Sequence, residues 1–440
     1  MYPEPFLNMM QSLLGEEYST WLKETENEPK RGFRINPMRI DPDAFFRISS
    51  LERVPSPFAE NAYYNTTRHG LGNLPEYRTG AVYPQEPSAS SAVAAVDVQP
   101  GMRILDLCAA PGSKATQIAE RLHNEGLLVA NDIHHRRSLV LAENLERCGS
   151  TCTVVTNNDP VDLAASFPAY FDIVFCDAPC SGEGMFRKED EALAQWSMEN
   201  VLMCTSRQRS ILDSAVACLR PGGLLVYSTC TLNTVENEEN IVWLCRKYPE
   251  METVPLNHTH TRPGFAIGQG TEHAQRIFPM DGGEGHFVCV LRKAGTGERH
   301  DVPFRKTCRL PAEAASFLND HFEKGFPYIY CSKDTYYGST AAMPETGSCR
   351  IIRPFVRLGQ LKNKRFEPDH ALAMNAYSRP LRTVEFDDQA ALEYLKGLTR
   401  TTDLPKGWYV CRWNAMPLGW IYSDGRILKN KYPKSYRIRG

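Results

Sequence analysis

The chain has 440 residues, 42% of them hydrophobic, with 50 basic and 52 acidic side chains and a formal net charge of −2. That length accommodates two to four domains of ordinary globular composition. Balanced charge excludes bulk electrostatics as a route to nucleic acid, so an anionic partner must be met by local patches.

The opening "MYPEPFLNMMQSLLGEEY" has no basic leader, and no run of about 18 apolar residues occurs, so a cytoplasmic, non-spanning protein is expected. The 14 cysteines include no C-x-x-C pair, which argues against a zinc knuckle and a disulfide framework. Most are expected to be reduced and buried, with no metal bound. Residues 1–80 read as a basic N-terminal module with turns at "PEPFLNMM" and "ERVPSPF". Its stretch "KRGFRINPMR", Lys30 to Arg39, has four basic residues and no acid.

Residues 81–293 read as the catalytic core, and from about Gly101 to Lys293 short apolar runs alternate with helical patterns. "RILDLC", "LLVAND", "TCTVVTNND", "FDIVFCDAPC", "GGLLVYSTC" and "HFVCVLRK" read as buried strands; "SKATQIAERLH", "RRSLVLAENLERCG" and "SRQRSILDSAVACLRPGG" read as helices between them. This βαβ succession predicts an α/β fold with a doubly wound, mostly parallel sheet, whose ligands bind at the carboxyl ends of the strands.

The polar signals fall at those ends. "DLCAAPGSK", Asp106 to Lys114, is a turn of small residues entering a helix; it is either structural or a close approach to a ligand, and it lacks the glycines of a triphosphate loop. Asp132 closes "LLVAND", where it could accept from a ribose or cap the next helix. Asp159 has the corresponding place after the third strand, suited to an adenine amino group. Asp177 precedes "APCSG", and Cys230 ends the next predicted strand in "VYSTCTLNTVENEEN". Adjacent parallel strands would bring Cys180 and Cys230 to one rim. A single such cysteine is usually core, whereas two at successive strand ends suggest chemistry, with thiolate character supported by Lys114, loop amides or a helix N-terminus.

Residues 294–378 read as a connecting domain and 379–440 as a small β domain, with strands "GWYVCRW" and "PLGWIY". Arg350 to Arg365 has six basic residues and no acid, and Asp424 to Gly440 six against one. With Lys30 to Arg39, and interleaved with Phe33, Phe355, Tyr432 and Tyr436, these runs suggest a surface that neutralises phosphates and stacks bases. His258 and His260 read as loop residues, and "ENEEN", Glu236 to Asn240, as a helix start.

Taken in order, "DLCAAPGSK", "DAPCSGEG" and "YSTCTLNTVENEENI" resemble the signature of the Nop/Sun family, the S-adenosylmethionine-dependent RNA cytosine-carbon-5 methyltransferases. "YPQEPSAS", "RIIRPFVRLGQLKNKRFEPDHALAMNA" and the tail "PLGWIYSDGRILKNKYPKSYRIRG" are similar to its bacterial RsmF-like branch, so the resemblance extends over nearly the whole chain.

The resemblance implies a Rossmann-like class I methyltransferase core and a PUA-like RNA-binding terminal domain. Cys230 would attack carbon 6 of the target cytosine, and Cys180 would resolve the adduct. Asp177 would meet the ring nitrogen and amino edge of the base, with Lys114 beside it. Cys108, Ala109, Ala110, Pro111, Gly112, Ser113 and Lys114, with Asp132, Asp159 and Asp177, would line the S-adenosylmethionine pocket, and Arg137 would add a contact. Ser113 stands where the family carries a second glycine, and Asp132 where glutamate is commoner. The implied partner is RNA, foremost small-subunit ribosomal RNA with transfer RNA as the alternative, acted on by a monomer at an unstacked base. Two other readings compete: a DNA cytosine methyltransferase, in which Cys180 would attack, and a non-catalytic ribosome-assembly factor.

Overall fold

The computed structural model describes residues 2–67, 70–297 and 300–438. The alternating apolar runs form β1 (Arg103–Asp106), β2 (Leu127–Asn131), β3 (Thr153–Thr156), β4 (Phe171–Asp177) and β5 (Leu219–Thr229). Four further strands follow: β6 (Met251–Thr253), β7 (Arg262–Pro263), β8 (Gln275–Ile277) and β9 (His286–Lys293). With β10 (Ile351–Pro354) they make one ten-stranded sheet in the order β7-β8-β9-β5-β4-β1-β2-β3-β10, β6 pairing β9.

Strands β1 to β5 run parallel and β9 antiparallel, so all six predicted strands are present and the doubly wound reading holds. The chain leaves β1 towards β2 and β3, then returns to β4 on the other side. The topological switch therefore lies between β1 and β4, where such sheets open a crevice. Strand β2 is buried throughout, as a strand covered on both faces requires. Each fully buried Phe171, Val174, Phe175 or Leu225 side chain contributes about 1.5–3 kcal/mol.

The connecting helices are α1 (Ser113–Leu122), α2 (His135–Cys148), α3 (Pro160–Ser166), α4 (Met198–Cys218) and α5 (Glu238–Lys247). Helix α1 packs on α2, while α3 and α5 pack on α4. The periodicity places the start of α4 near Ser206. The helix begins eight residues earlier, because the Ser197 hydroxyl accepts from the Asn200 amide and caps it.

The sheet does not end with β9. Strand β10, from the segment read as a connecting domain, pairs antiparallel with β3 and is pinned by the Arg353 to Glu146 ion pair. That segment also has its own four-stranded sheet, and a five-stranded sheet containing Gly407–Trp413 and Met416–Ser423 completes the chain. Among the described residues no helix is long and apolar enough to cross a membrane.

The expected aromatic stacking surface is absent. Phe33, Phe355 and Tyr432 are only 1%, 2% and 4% exposed, and Tyr436 is half-buried with its ring against His370. The reason is packing between units: Phe33 and Phe45 of the N-terminal module share one apolar cluster with Trp413 and Tyr432 of the terminal unit. The strand Gly32–Ile35 is consequently buried at all four positions. Its Arg34, read from sequence as surface charge, is internal. Lys364, Arg365, Arg426 and Lys434 of the other two basic runs remain exposed; Arg439 and Gly440 lie outside the described residues.

Arg34 joins the module to α1. Its guanidinium pairs with Glu120 at 3.0 Å and donates to Thr116 Oγ1 at 2.9 Å and the Ser113 carbonyl at 2.8 Å. Arg34→Ala leaves the Glu120 carboxylate buried and uncompensated, and urea denaturation should show a loss of about 3–5 kcal/mol.

Candidate active site

The loop after β1 is held through its carbonyls. Arg137 Nη2 donates to Ala110 O at 2.6 Å and Asn144 Nδ2 to Pro111 O at 2.8 Å, with Arg34 on Ser113. Gly112 precedes α1 at φ +119°, and a Cβ there would come within 3.3 Å of Leu141 Cδ1, so the turn requires glycine.

This loop and the ends of β2, β3, β4 and β5 enclose a cleft of about 740 Å³. Of the residues singled out by sequence, Cys108, Ala110, Asp132, Arg137, Asp159, Asp177, Cys180 and Cys230 line it. Ala109, Pro111, Gly112 and Ser113 do not. They lie where the loop turns into α1, which begins at Ser113. Lys114 lies behind the wall, 4% exposed. Sequence reasoning missed His134 and Arg207, which also line the cleft and sit on exposed positions without a motif, and the half-buried Met185 just past the Cys180 motif.

Asp132 and Asp159 serve two ends at once. Asp132 Oδ1 accepts from the His134 amide at 2.8 Å, and its other oxygen is 3.7 Å from Arg137. Asp159 caps α3 by accepting from the Val161 amide at 3.0 Å. Each carboxylate keeps acceptor capacity towards the cleft, suited to hydroxyl or amino donors of a nucleoside.

At the end of β4, Asp177 accepts from Lys114 Nζ at 2.8 Å and from Ser228 Oγ at 2.8 Å. Burial alone would raise the Asp177 carboxyl; the Lys114 ammonium and the Ser228 hydroxyl outweigh it and hold the group below its ordinary value. The Lys114 ammonium is thus directed to Asp177 and not, as the sequence also allowed, to a thiol.

Cys180 Sγ and Cys230 Sγ are 3.3 Å apart. The hydrogen bond to Cys230, followed by burial, raises the Cys180 thiol well above its usual range while the two sulfurs face each other. Burial likewise raises Cys108, which leaves it an inert wall residue.

Two buried glutamates brace the cysteine loops. Glu236 accepts from the Ser181 amide at 3.0 Å, from the Ser181 hydroxyl, from Gln208 at 2.7 Å and from Asn233 at 2.9 Å. Glu183 accepts from the Leu232 and Asn233 amides at 2.8 and 2.9 Å and from Trp196 Nε1 at 2.9 Å. The Gly184 amide donates to the Cys230 carbonyl at 2.8 Å. The run "ENEEN" does start α5, as expected, but Glu236 and Glu238 are fully buried, Glu238 paired with Arg276.

Glu236→Gln preserves shape but removes an anionic acceptor from Ser181. Turnover in any reaction using both thiols should fall about 10- to 100-fold, with circular dichroism unchanged.

Comparisons with known proteins agree with this arrangement. The family model for the 16S rRNA methyltransferase RsmB/F matches residues 93–292. Models for the RsmF N-terminal domain, first C-terminal domain and PUA domain match residues 2–87, 317–375 and 381–438. The chain is 32% identical over 461 residues to ribosomal RNA small subunit methyltransferase F of Klebsiella pneumoniae (strain 342), covering 98% of this chain and 96% of that one. Among solved structures it is similar to a methyltransferase homologue from Pyrococcus horikoshii, with 27% identity and a TM-score of 0.60, over 66% of this chain and 95% of that one. NSun6 of the same organism, solved with SFG, shares the fold at 21% identity and a TM-score of 0.59, over 67% of this chain and 99% of that one. With a doubly wound core, a cleft at its switch point and matches along almost its whole length, the chain belongs to the RsmF family of 16S ribosomal RNA methyltransferases.

Proposed function

We propose that this protein transfers a methyl group from S-adenosylmethionine to carbon 5 of cytidine in 16S ribosomal RNA, in the cytoplasm, through a covalent adduct between Cys230 and carbon 6. The observation that carries the reading is the pair of thiols 3.3 Å apart beside the Lys114–Asp177 ion pair. The cleft suits the methyl donor: Asp132 and Asp159 offer acceptors to a ribose and an adenine, and the small Cys108 and Ala110 allow close approach. When bound there, the donor supplies an electrophilic methyl group.

The residues of the chain do the rest. Cys230 adds as thiolate to carbon 6, and the ring's electron pair shifts onto the base, where the Lys114 ammonium stabilises the charge while the Asp177 carboxylate accepts from the amino group. Carbon 5, now nucleophilic, takes the methyl group. Cys180, once its thiol proton has passed to solvent, accepts the proton leaving carbon 5, and the carbon–sulfur bond to Cys230 breaks with return of its electron pair to sulfur. The upward push on the Cys180 thiol from its hydrogen bond to Cys230 and from burial weighs against attack by Cys180. The intact set of Lys114, Asp177, Cys180 and Cys230 favours catalysis over a purely RNA-binding role in assembly. The units at residues 1–80, 294–378 and 379–440 would position the RNA, with the exposed cations of the last two meeting phosphates.

Cys180→Ala is expected to accumulate a ribonuclease-sensitive, slow-migrating protein–RNA band on denaturing gels, and Cys230→Ala to be inactive without a band. A band from Cys230→Ala alone would reverse the roles.

A further inference from the structure

Behind the Lys114–Asp177 pair the sheet carries a second buried carboxyl that the reaction as written does not use. Asp106 on β1 is opposite Phe175 in the parallel pairing with β4, and Asp177 is opposite Ser228 in the pairing of β4 with β5. Ser228 is in turn opposite Val288 on β9. Side chains two apart share a face, so Asp106, Asp177, Ser228 and His286 form one diagonal row across four neighbouring strands.

Lys114, reaching in from α1, supplies the cation of this row. Asp106 is completely buried, and no side chain among the described residues hydrogen-bonds its carboxyl, which has only the Cys108 amide beside it. His286, 3% exposed, leaves Nε2 unpartnered among them. A buried carboxylate so poor in donors is costly, whereas a neutral carboxylic acid is tolerated.

The charges facing Asp106 come from three elements: Asp177 at the end of β4, Lys114 on α1 and Asp132 just past β2, with the Cys108 amide adjacent. His286 on β9 faces Lys114 and Asp177, and burial first, then Lys114, holds its imidazole neutral, down to about 3. Lys114 is therefore the cation for which two carboxyls of the row compete.

We propose that Asp106 is a positioning residue for the methyl-transfer reaction: kept as a neutral acid, it leaves the Lys114 ammonium wholly to Asp177 and the target base, and its ionisation sets the alkaline limit of the reaction. Burial and the charge of Asp177 push its carboxyl up to about 8, against the pull of Lys114 and the Cys108 amide. Once ionised, Asp106 draws on Lys114, and Asp177 loses the partner that orients it. The proposal rests on the cytosine reading above, because its first readout is methylation.

The test compares wild type with Asp106→Asn, which is neutral at every pH, and with Asp106→Ser should the amide variant fold poorly. Methylation of small-subunit ribosomal RNA by the wild type should drop about fivefold between pH 8 and pH 9, whereas the variant's profile should stay level there, whatever its height. Parallel profiles would overturn the proposal.

A second readout needs no RNA. The neutral Asp106 contributes stability that is complete below the ordinary carboxyl value of 3.8 and is lost as pH rises through about 8. The stability of Asp106→Asn relative to wild type should therefore grow with pH up to about 8 and then level off. A difference independent of pH would overturn the assignment. Absence of methylation by both proteins would instead overturn the functional reading, and the stability comparison would still decide the state of Asp106.

Discussion

The parallel pairing of β4 with β5 is the constraint on which the site depends. Its register sets Asp177 beside Ser228 and releases two loops from neighbouring strand ends at the same height. A slip of one residue would turn Asp177 to the opposite face, away from Lys114, and carry Cys180 out of reach of Cys230. The 3.3 Å separation of the thiols is thus a consequence of sheet register, locked afterwards by Glu183 and Glu236. Most of the local polar network serves this one juxtaposition. Buried carboxylates with three or four donors each are suited to it, because they tolerate little change in the geometry of the loops they join.

The side of the cleft proposed for the methyl donor is organised differently. Its loop presents small side chains and is held by its carbonyls, each accepting from a distant side chain: Arg34 in the N-terminal module, Arg137 and Asn144 on α2. The N-terminal module therefore contributes to the cleft even though none of its residues lines it. Its apolar partner is the terminal β unit, through Phe33, Phe45, Trp413 and Tyr432, so the first and last parts of the chain form one packed support on the catalytic sheet.

The central fold was legible because its signals are local. Apolar runs such as "FDIVFCD" alternate with amphipathic stretches, and the candidate site residues sit where each run ends. The two cysteines, Asp177 and Lys114 could be named from short motifs for the same reason. What escaped was non-local. Arg34 and Phe33 look like a basic, aromatic surface strip, and only the docking of two remote units buries them. Glu236 looks like an ordinary first-turn acid, and only the return of the Cys180 loop gives it donors. Asp106 looks like part of a glycine-poor turn; its isolation depends on strands up to about 180 positions away, reaching His286. Strand β10 was hidden because its partner β3 lies nearly 200 residues earlier in the chain.

The most direct test of the account is where a trapped base is attached. RNA containing 5-fluorocytidine, incubated with the protein and S-adenosylmethionine, cannot release its adduct, because fluorine replaces the proton that must leave carbon 5. After nuclease and protease digestion, mass spectrometry should find the methylated nucleotide on the peptide bearing Cys230. Attachment at Cys180, or modification with no protein adduct, would contradict the division of labour between the two thiols on which this account of the site is built.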